Sequence, residues 1–89
     1  MDLNLLRGKI DEIDDKILSL FTGRMEIAKE VAEYKAANGL PIHNSARERE
    51  ILDRLISGVD TELAEYVKTL YNTIFEVSRN YQKEQNLTN

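Results

Sequence analysis

The apolar residues in the first part of the chain recur at alternating intervals of three and four positions. They are Leu3, Leu6, Ile10, Ile13, Ile17 and Leu20, and the same register continues at Arg24, Ile27, Val31 and Tyr34. This spacing is typical of a helix that packs lengthwise against another helix. The pattern stops at Asn38 and Gly39, and Pro41 prevents its continuation. We therefore predict a first helix from about Asp2 or Asn4 to about Asn38, about 50 Å long.

A helix of this length needs more partner surface than the rest of the chain provides. The 89 residues make one small domain, and short chains bury a smaller share of their surface than long ones. We call the apolar series from Leu3 to Leu20 the seam. Because the residues after Gly39 are too few to cover it, we predict that a second copy of the chain does.

Two shorter helices are predicted after the first. Residues Ser45 to Glu48 have the spacing of a capping box, which predicts a second helix that starts near Ser45, and Gly58 is expected to terminate it. A third helix is predicted to begin after Asp60 or Thr61. Its apolar face is Leu63, Val67, Leu70, Ile74, Val77 and Tyr81, flanked by Tyr66, Tyr71 and Phe75. The polar residues 84–89 are expected to fray. With no alternating strand pattern, the predicted fold is all-α, with a long, a short and a medium-long helix.

Composition excludes several classes of function. The net charge of −4, from 12 Lys and Arg against 16 Asp and Glu, argues against nucleic-acid binding. The absence of cysteine excludes disulfides and thiolate chemistry, and the single histidine, His43, excludes metal sites that need two. We expect His43 to be a solvated loop residue, and we predict no metal and no cofactor. The chain has neither an apolar run of membrane-spanning length nor a visible signal peptide, so a cytoplasmic location is expected.

Two cations of the first helix are candidates for a binding site. Arg24 occupies the next position in the register of the seam, where an apolar residue is expected, and unpaired burial of its charge would cost several kcal/mol, so it should face a partner, a water-filled pocket or an anion. Lys35 lies just over three turns further on nearly the same face. The two could converge on one ligand. An interhelical ion pair at Arg24 and a solvated Lys35 are the alternatives.

The shorter helices add further polar candidates. Ser78 and Gln82 are one turn apart beside the apolar face of the third helix, where they would present neutral hydrogen-bonding groups. Arg47 and Glu48 lie in the first turn of the second helix, where an arginine opposes the helix dipole. Exposed surface polarity would also account for each of these residues alone.

Arg7 tests the geometry of any shared site. It precedes Arg24 by 17 positions, about 26 Å along a straight helix. No small metabolite spans that distance. If both arginines bind one ligand, Arg7 must come from the second chain of an antiparallel pair.

The order and spacing of these residues resemble the all-helical class of chorismate mutases. The resemblance extends from about Leu3 to Gln85 and is carried by Leu6–Asp14, Arg24, Lys35, Pro41–Ile42, Arg47–Glu48, Ser78 and Gln82. It implies a single helical domain over residues 1–89 that forms an intertwined homodimer with two active sites. The implied reaction is the Claisen rearrangement of chorismate to prephenate, on the route to phenylalanine and tyrosine.

The resemblance also implies roles for the residues around the breaking bond. Arg24 would bind one carboxylate of the dianionic substrate, and Arg7 of the partner subunit would bind near the other. Lys35 would contact a carboxylate and the ether oxygen, and Gln82 would donate to that oxygen. Cleavage of the C–O bond develops negative charge there, which such donors stabilise. Because Gln82 needs no proton uptake to donate, no requirement for acidic pH is expected.

The same resemblance assigns the remaining candidates to substrate binding. Glu48 would accept a hydrogen bond from the ring hydroxyl, and Arg47 and Ser78 would complete the pocket. Asn44 stands where relatives often carry aspartate, and its amide can cap the second helix.

Three other interpretations remain open at the level of sequence. A related isochorismate-pyruvate lyase would use a similar cationic pocket on a similar helical fold. A non-catalytic dimerisation module would use Arg7, Arg24 and Glu48 as interhelical ion pairs. The chain could also be the mutase domain of a larger enzyme, such as one fused to prephenate dehydratase.

Overall fold

The computed structural model describes residues 2–87, and within that range the protein is all-α. Helix α1 spans Leu3–Ala37, α2 spans Ser45–Ile56 and α3 spans Ala64–Leu87, with a 3₁₀ turn at Thr61–Leu63 before α3. The predicted fold class and the order of long, short and medium-long helices are confirmed. No strand occurs in residues 2–87.

The end of α3 differs from the prediction. Residues 84–87 were expected to fray, but they continue the helix. Gln85 and Asn86 are half-buried, and Glu and Gln are good helix formers even though they are polar. The rest of the segment that was expected to fray, residues 88–89, lies outside the described residues.

The loop between α1 and α2 is fixed at both ends by capping interactions. At the end of α1, Gly39 has φ 65° and the Leu40 N–H donates to the Lys35 carbonyl at 2.9 Å, which makes a Schellman-type stop. At the start of α2, the Asn44 side chain accepts from the Arg47 N–H at 3.0 Å. The capping box predicted at Ser45 is therefore wrong by one residue. With Asn44 as the cap, Glu48 lies one position beyond the box, and its carboxylate is free for other contacts.

Substitution of Gly39 or Gly8 by alanine is expected to change the free energy of unfolding in opposite directions. Gly39 adopts a left-handed conformation, so Gly39→Ala should lower the free energy of unfolding by about 1 kcal/mol. Gly8 lies inside α1 with open space at its Cβ position, so Gly8→Ala should raise it by about 0.5–1 kcal/mol. Urea denaturation at one protein concentration measures both. Equal effects of the two substitutions would contradict the assignment of Gly39 as a helix stop.

The interior of a single chain is small and lies between α1 and α3. Its buried members are Ala28, Ala32, Phe75, Ser78 and Gln82. The two alanines on α1 leave room for the Phe75 ring of α3, and α2 also packs on α3. The buried line of α3 therefore runs to one side of the predicted apolar face, whose members Leu63, Leu70 and Val77 are exposed.

The seam is uncovered in the single chain, and the molecule is elongated. Ile17 is 58% exposed and Leu20 is 74% exposed, and the other seam residues are exposed as well. The radius of gyration is 16.3 Å and the molecule measures 55 × 27 × 14 Å, whereas a compact chain of this length would have a radius of gyration of about 12 Å. Within residues 2–87, none of the helices combines the length and the hydropathy needed to cross a bilayer.

Candidate active site

One pocket of about 320 Å³ lies where α1, the start of α2 and the second half of α3 meet. Seven of the eight predicted site residues line it: Arg24, Lys35, Asn44, Arg47, Glu48, Ser78 and Gln82. The remaining wall is mainly apolar and consists of Ile27, Ala28, Val31, Ile42, Ile51 and Phe75, with Arg79 beside them. The fold thus brings together side chains that are far apart in sequence.

The α1 wall of the pocket carries Arg24 and Lys35. Helical spacing places both on one face, as predicted. Arg24 is half-buried, its guanidinium carbon lies 5.9 Å from the centre of the Phe75 ring, and no carboxylate among residues 2–87 pairs with it. Lys35 is not the solvated lysine considered as an alternative, because its Nζ donates to the Ile42 carbonyl at 2.8 Å. This bond holds the loop against α1 and keeps the ammonium group at the pocket.

Glu48, on the α2 part of the pocket, is held by a residue that the sequence analysis missed. Nη1 of Arg79 lies 2.7 Å from Oε1 and 2.6 Å from Oε2 of Glu48. The His43 Nε2 atom lies 3.7 Å from Oε1, so this half-exposed loop histidine borders the same carboxylate. A signal for Arg79 was present in the spacing, since positions 75, 78, 79 and 82 lie on one helical face.

Ser78 and Gln82 form the buried polar part of the α3 wall. Their side chains are 6% and 7% exposed, and Gln82 Nε2 donates to Ser78 Oγ at 3.1 Å. Gln82 Oε1 is buried and has no hydrogen-bond partner among the described residues. A buried amide oxygen without a partner costs about 1–3 kcal/mol. The arrangement is therefore incomplete until a ligand or a rotation of the amide satisfies it.

Asn44 and Arg47 lie at the rim. The Asn44 amide caps α2 through the bond described above, as its sequence position allowed. Arg47 is exposed and forms an ion pair with Glu50 one turn later. Both residues line the pocket, and the flexible guanidinium of Arg47 can reach a ligand at its mouth.

The pocket is positively charged, although the chain as a whole is negatively charged. Four cationic side chains (Arg24, Lys35, Arg47 and Arg79) and the single carboxylate of Glu48 line it, which makes a local charge of +3 in a chain of net charge −4. Such a concave site focuses positive potential and attracts anions. The described residues contain no group of three His, Cys, Asp or Glu suited to a metal ion. The lining supplies cations, amide donors and one acceptor.

Arg7 is not part of this pocket. It is exposed on the N-terminal half of α1, where all of residues 3–20 are exposed. Its separation from Arg24 along α1 is about 26 Å. Within one chain, the two arginines therefore do not meet.

Known proteins resemble this chain in fold and in sequence. The crystal structure of Helicobacter pylori chorismate mutase in complex with prephenate matches 93% of this chain and 91% of that chain, with a TM-score of 0.85 and 34% identity. A chorismate mutase of Methanocaldococcus jannaschii is 52% identical over 50 residues, which cover 56% of this chain and 50% of that protein. The bifunctional chorismate mutase/prephenate dehydratase of Escherichia coli K12 is 40% identical over 75 residues, or 82% of this chain and 19% of that protein.

The length of chain that each comparison matches decides whether the family can be assigned. The matched regions cover half or less of the length of the two curated relatives. The family model for chorismate mutase type II matches residues 6–83, which is most of the chain. The protein therefore belongs to the chorismate mutase type II family.

Proposed function

We propose that this protein catalyses the rearrangement of chorismate to prephenate in the synthesis of phenylalanine and tyrosine. The observation that carries the proposal is the pocket of local charge +3, which Arg24 and Lys35 on α1 line together with the buried Gln82 on α3. A dianion with a breaking ether bond needs these groups. The prephenate-bound relative from Helicobacter pylori supports the same substrate class.

The pocket residues contribute in three ways: they pair with the substrate carboxylates, they hydrogen-bond the reacting groups, and they orient the substrate. Arg24 pairs with a substrate carboxylate, and Lys35 contacts a carboxylate and the ether oxygen. Negative charge grows on that oxygen as the C–O bond breaks, so fixed donors stabilise the transition state more than the ground state. Glu48 accepts from the ring hydroxyl, and the apolar wall holds the enolpyruvyl arm over the ring, which lowers the entropic part of the barrier. The reaction needs no nucleophile.

Gln82 is the neutral donor to the ether oxygen. Its Nε2 donates to Ser78 Oγ, but a hydroxyl can also donate. Rotation of the amide by half a turn places Oε1 as acceptor from Ser78 and frees Nε2 for the substrate. This exchange also satisfies the buried Oε1 atom, which has no partner among residues 2–87. Ser78 thus acts as the hydrogen-bonding support for either orientation.

The active unit in this proposal is an intertwined antiparallel homodimer in which Arg7 of each chain completes the pocket of the other. The single chain exposes 7152 Å², about 1,800 Å² more than the roughly 5,400 Å² expected of a folded monomer of 10.3 kDa. The exposed seam supplies much of that excess. Obligate homodimers bury areas of this order and larger. The dimer therefore supplies both the missing core and the missing cation.

Two parts of the proposal concern the context of the chain. We place residues 1–89 in a single helical domain and in the cytoplasm. The match to part of a bifunctional mutase/dehydratase supports a mutase domain that works either alone or beside a second activity.

The proposed activity is tested with chorismate and isochorismate side by side. Purified protein should consume chorismate with stoichiometric formation of prephenate, and pyruvate release from isochorismate should be slower by a large factor. Release of pyruvate from isochorismate without prephenate formation would favour a lyase. No turnover of either compound by a stable dimer would favour a non-catalytic dimerisation module.

A further inference from the structure

Arg79 connects α3 to α2 through the carboxylate of Glu48. A single NH₂ group of Arg79 bridges both carboxylate oxygens, at 2.7 and 2.6 Å. Charge-assisted bonds of this length are about twice as strong as neutral ones. The side chains of Arg79 and Glu48 are 26% and 23% exposed, so the pair is partly shielded from water. The bond holds Glu48 in one orientation at the pocket wall.

We propose that Arg79 is a positioning residue for the rearrangement, which fixes the Glu48 carboxylate so that its unused lone pairs face the ring hydroxyl of the substrate. The inference rests on the proposed function and gives Arg79 no contact with the substrate. A carboxylate offers about four acceptor sites on its two oxygens. Arg79 occupies one on each oxygen, and one on each remains. Without Arg79, the flexible glutamate side chain would lose its fixed orientation.

Charge supports the same role. Glu48 is the only carboxylate among the described residues that line the pocket, and chorismate carries two negative charges. An unpaired carboxylate would repel this substrate. Pairing with Arg79 offsets the negative charge and leaves the oxygens able to accept a hydrogen bond. The pair therefore recognises a hydroxyl inside a pocket that is otherwise built for anions.

The test is a double-mutant cycle with two substrates. Arg79→Met should lower kcat/KM for chorismate by roughly 10- to 100-fold, the size expected for a misplaced contact group. It should also lower the preference for chorismate over an analogue that lacks the ring hydroxyl. Glu48→Gln should lower kcat/KM for chorismate by a much smaller factor in the Arg79→Met background than in the wild type, because the two residues act as one unit. Arg79→Lys should keep part of the preference for chorismate that Arg79→Met loses.

Controls separate this role from a structural one. Arg54→Met alters an exposed α2 arginine outside the pocket and should keep full activity, and Arg79→Met should keep the oligomeric state and most of the melting temperature. The inference is overturned if the effects of Arg79→Met and Glu48→Gln multiply, or if both substrates lose activity in the same proportion. Absence of chorismate turnover by the wild type would overturn the proposed function as well, whereas the other results leave that function in place.

Discussion

Gln82→Glu is expected to lower kcat/KM at pH 7.5 by about 10²- to 10³-fold, the cost of losing one donor to a developing oxyanion. An ionised carboxylate only accepts hydrogen bonds and would repel the charge that grows on the ether oxygen. The protonated acid can donate again. Because a glutamic acid has an ordinary pKa of about 4.3, and burial raises the pKa of a carboxyl group, the variant should regain activity as the pH falls. Between pH 7.5 and the pKa of the introduced carboxyl, kcat/KM should rise about tenfold per pH unit.

The wild type provides the contrast. Since the Gln82 amide does not titrate, kcat/KM of the wild type should change little between about pH 5 and 8. Gln82→Leu is the matched control, because it removes the donor without adding a titratable group, and it should be impaired at every pH. A glutamate variant with wild-type activity at pH 7.5, or a steep rise of wild-type activity toward pH 5, would contradict the role of Gln82.

Arg24→Ala is the second large effect. We expect kcat/KM to fall by at least about 10²-fold, because a charge-assisted bond to a carboxylate would be lost in a partly desolvated pocket. The melting temperature and oligomeric state should change little. Arg24 has no ion pair among residues 2–87, and its stacking on Phe75 accounts for only about 0.5–1 kcal/mol.

Steady-state kinetics, thermal denaturation and size-exclusion chromatography of the same preparation decide between catalysis and assembly. Arg54→Ala, an exposed arginine outside the pocket, is the control for loss of one positive charge. Retained turnover with loss of the dimer would show that Arg24 is an interhelical pairing residue, as in the dimerisation module.

The parts of the fold that could be predicted from sequence depend on residue spacing and helix-terminating residues within a single segment. The interval of three and four residues and the Asn38-Gly39 stop predicted α1 closely, because periodicity and helix termination depend on neighbouring residues. Most candidate residues of the pocket were also found from sequence, since charged and amide side chains on or beside apolar faces are exceptions to the pattern. Asn44 came only from the family resemblance. Their placement around one pocket agrees with that interpretation, and their roles stay predictions.

Contacts between distant segments account for the rest. The stripe of α3 around Leu70 and the line through Phe75 are both apolar, so periodicity alone does not tell which of them meets α1 in the same chain. Likewise, Arg79 pairs with Glu48 across 31 positions, a contact that depends on how α2 docks on α3. The shift of the α2 cap to Asn44 arose because two adjacent residues, Asn44 and Ser45, can both cap a helix.

In the proposed dimer each site combines the pocket of one chain with Arg7 of the other, and subunit mixing tests this shared site. Arg7→Ala and Arg24→Ala, each nearly inactive alone, should recover about a quarter of wild-type activity when unfolded together and refolded, because half of the dimers then contain one intact site. Arg24→Ala mixed with Lys35→Ala is the control and should recover none, since both changes affect the same chain's part of a site. If the first mixture stays as inactive as its components, the shared site is contradicted.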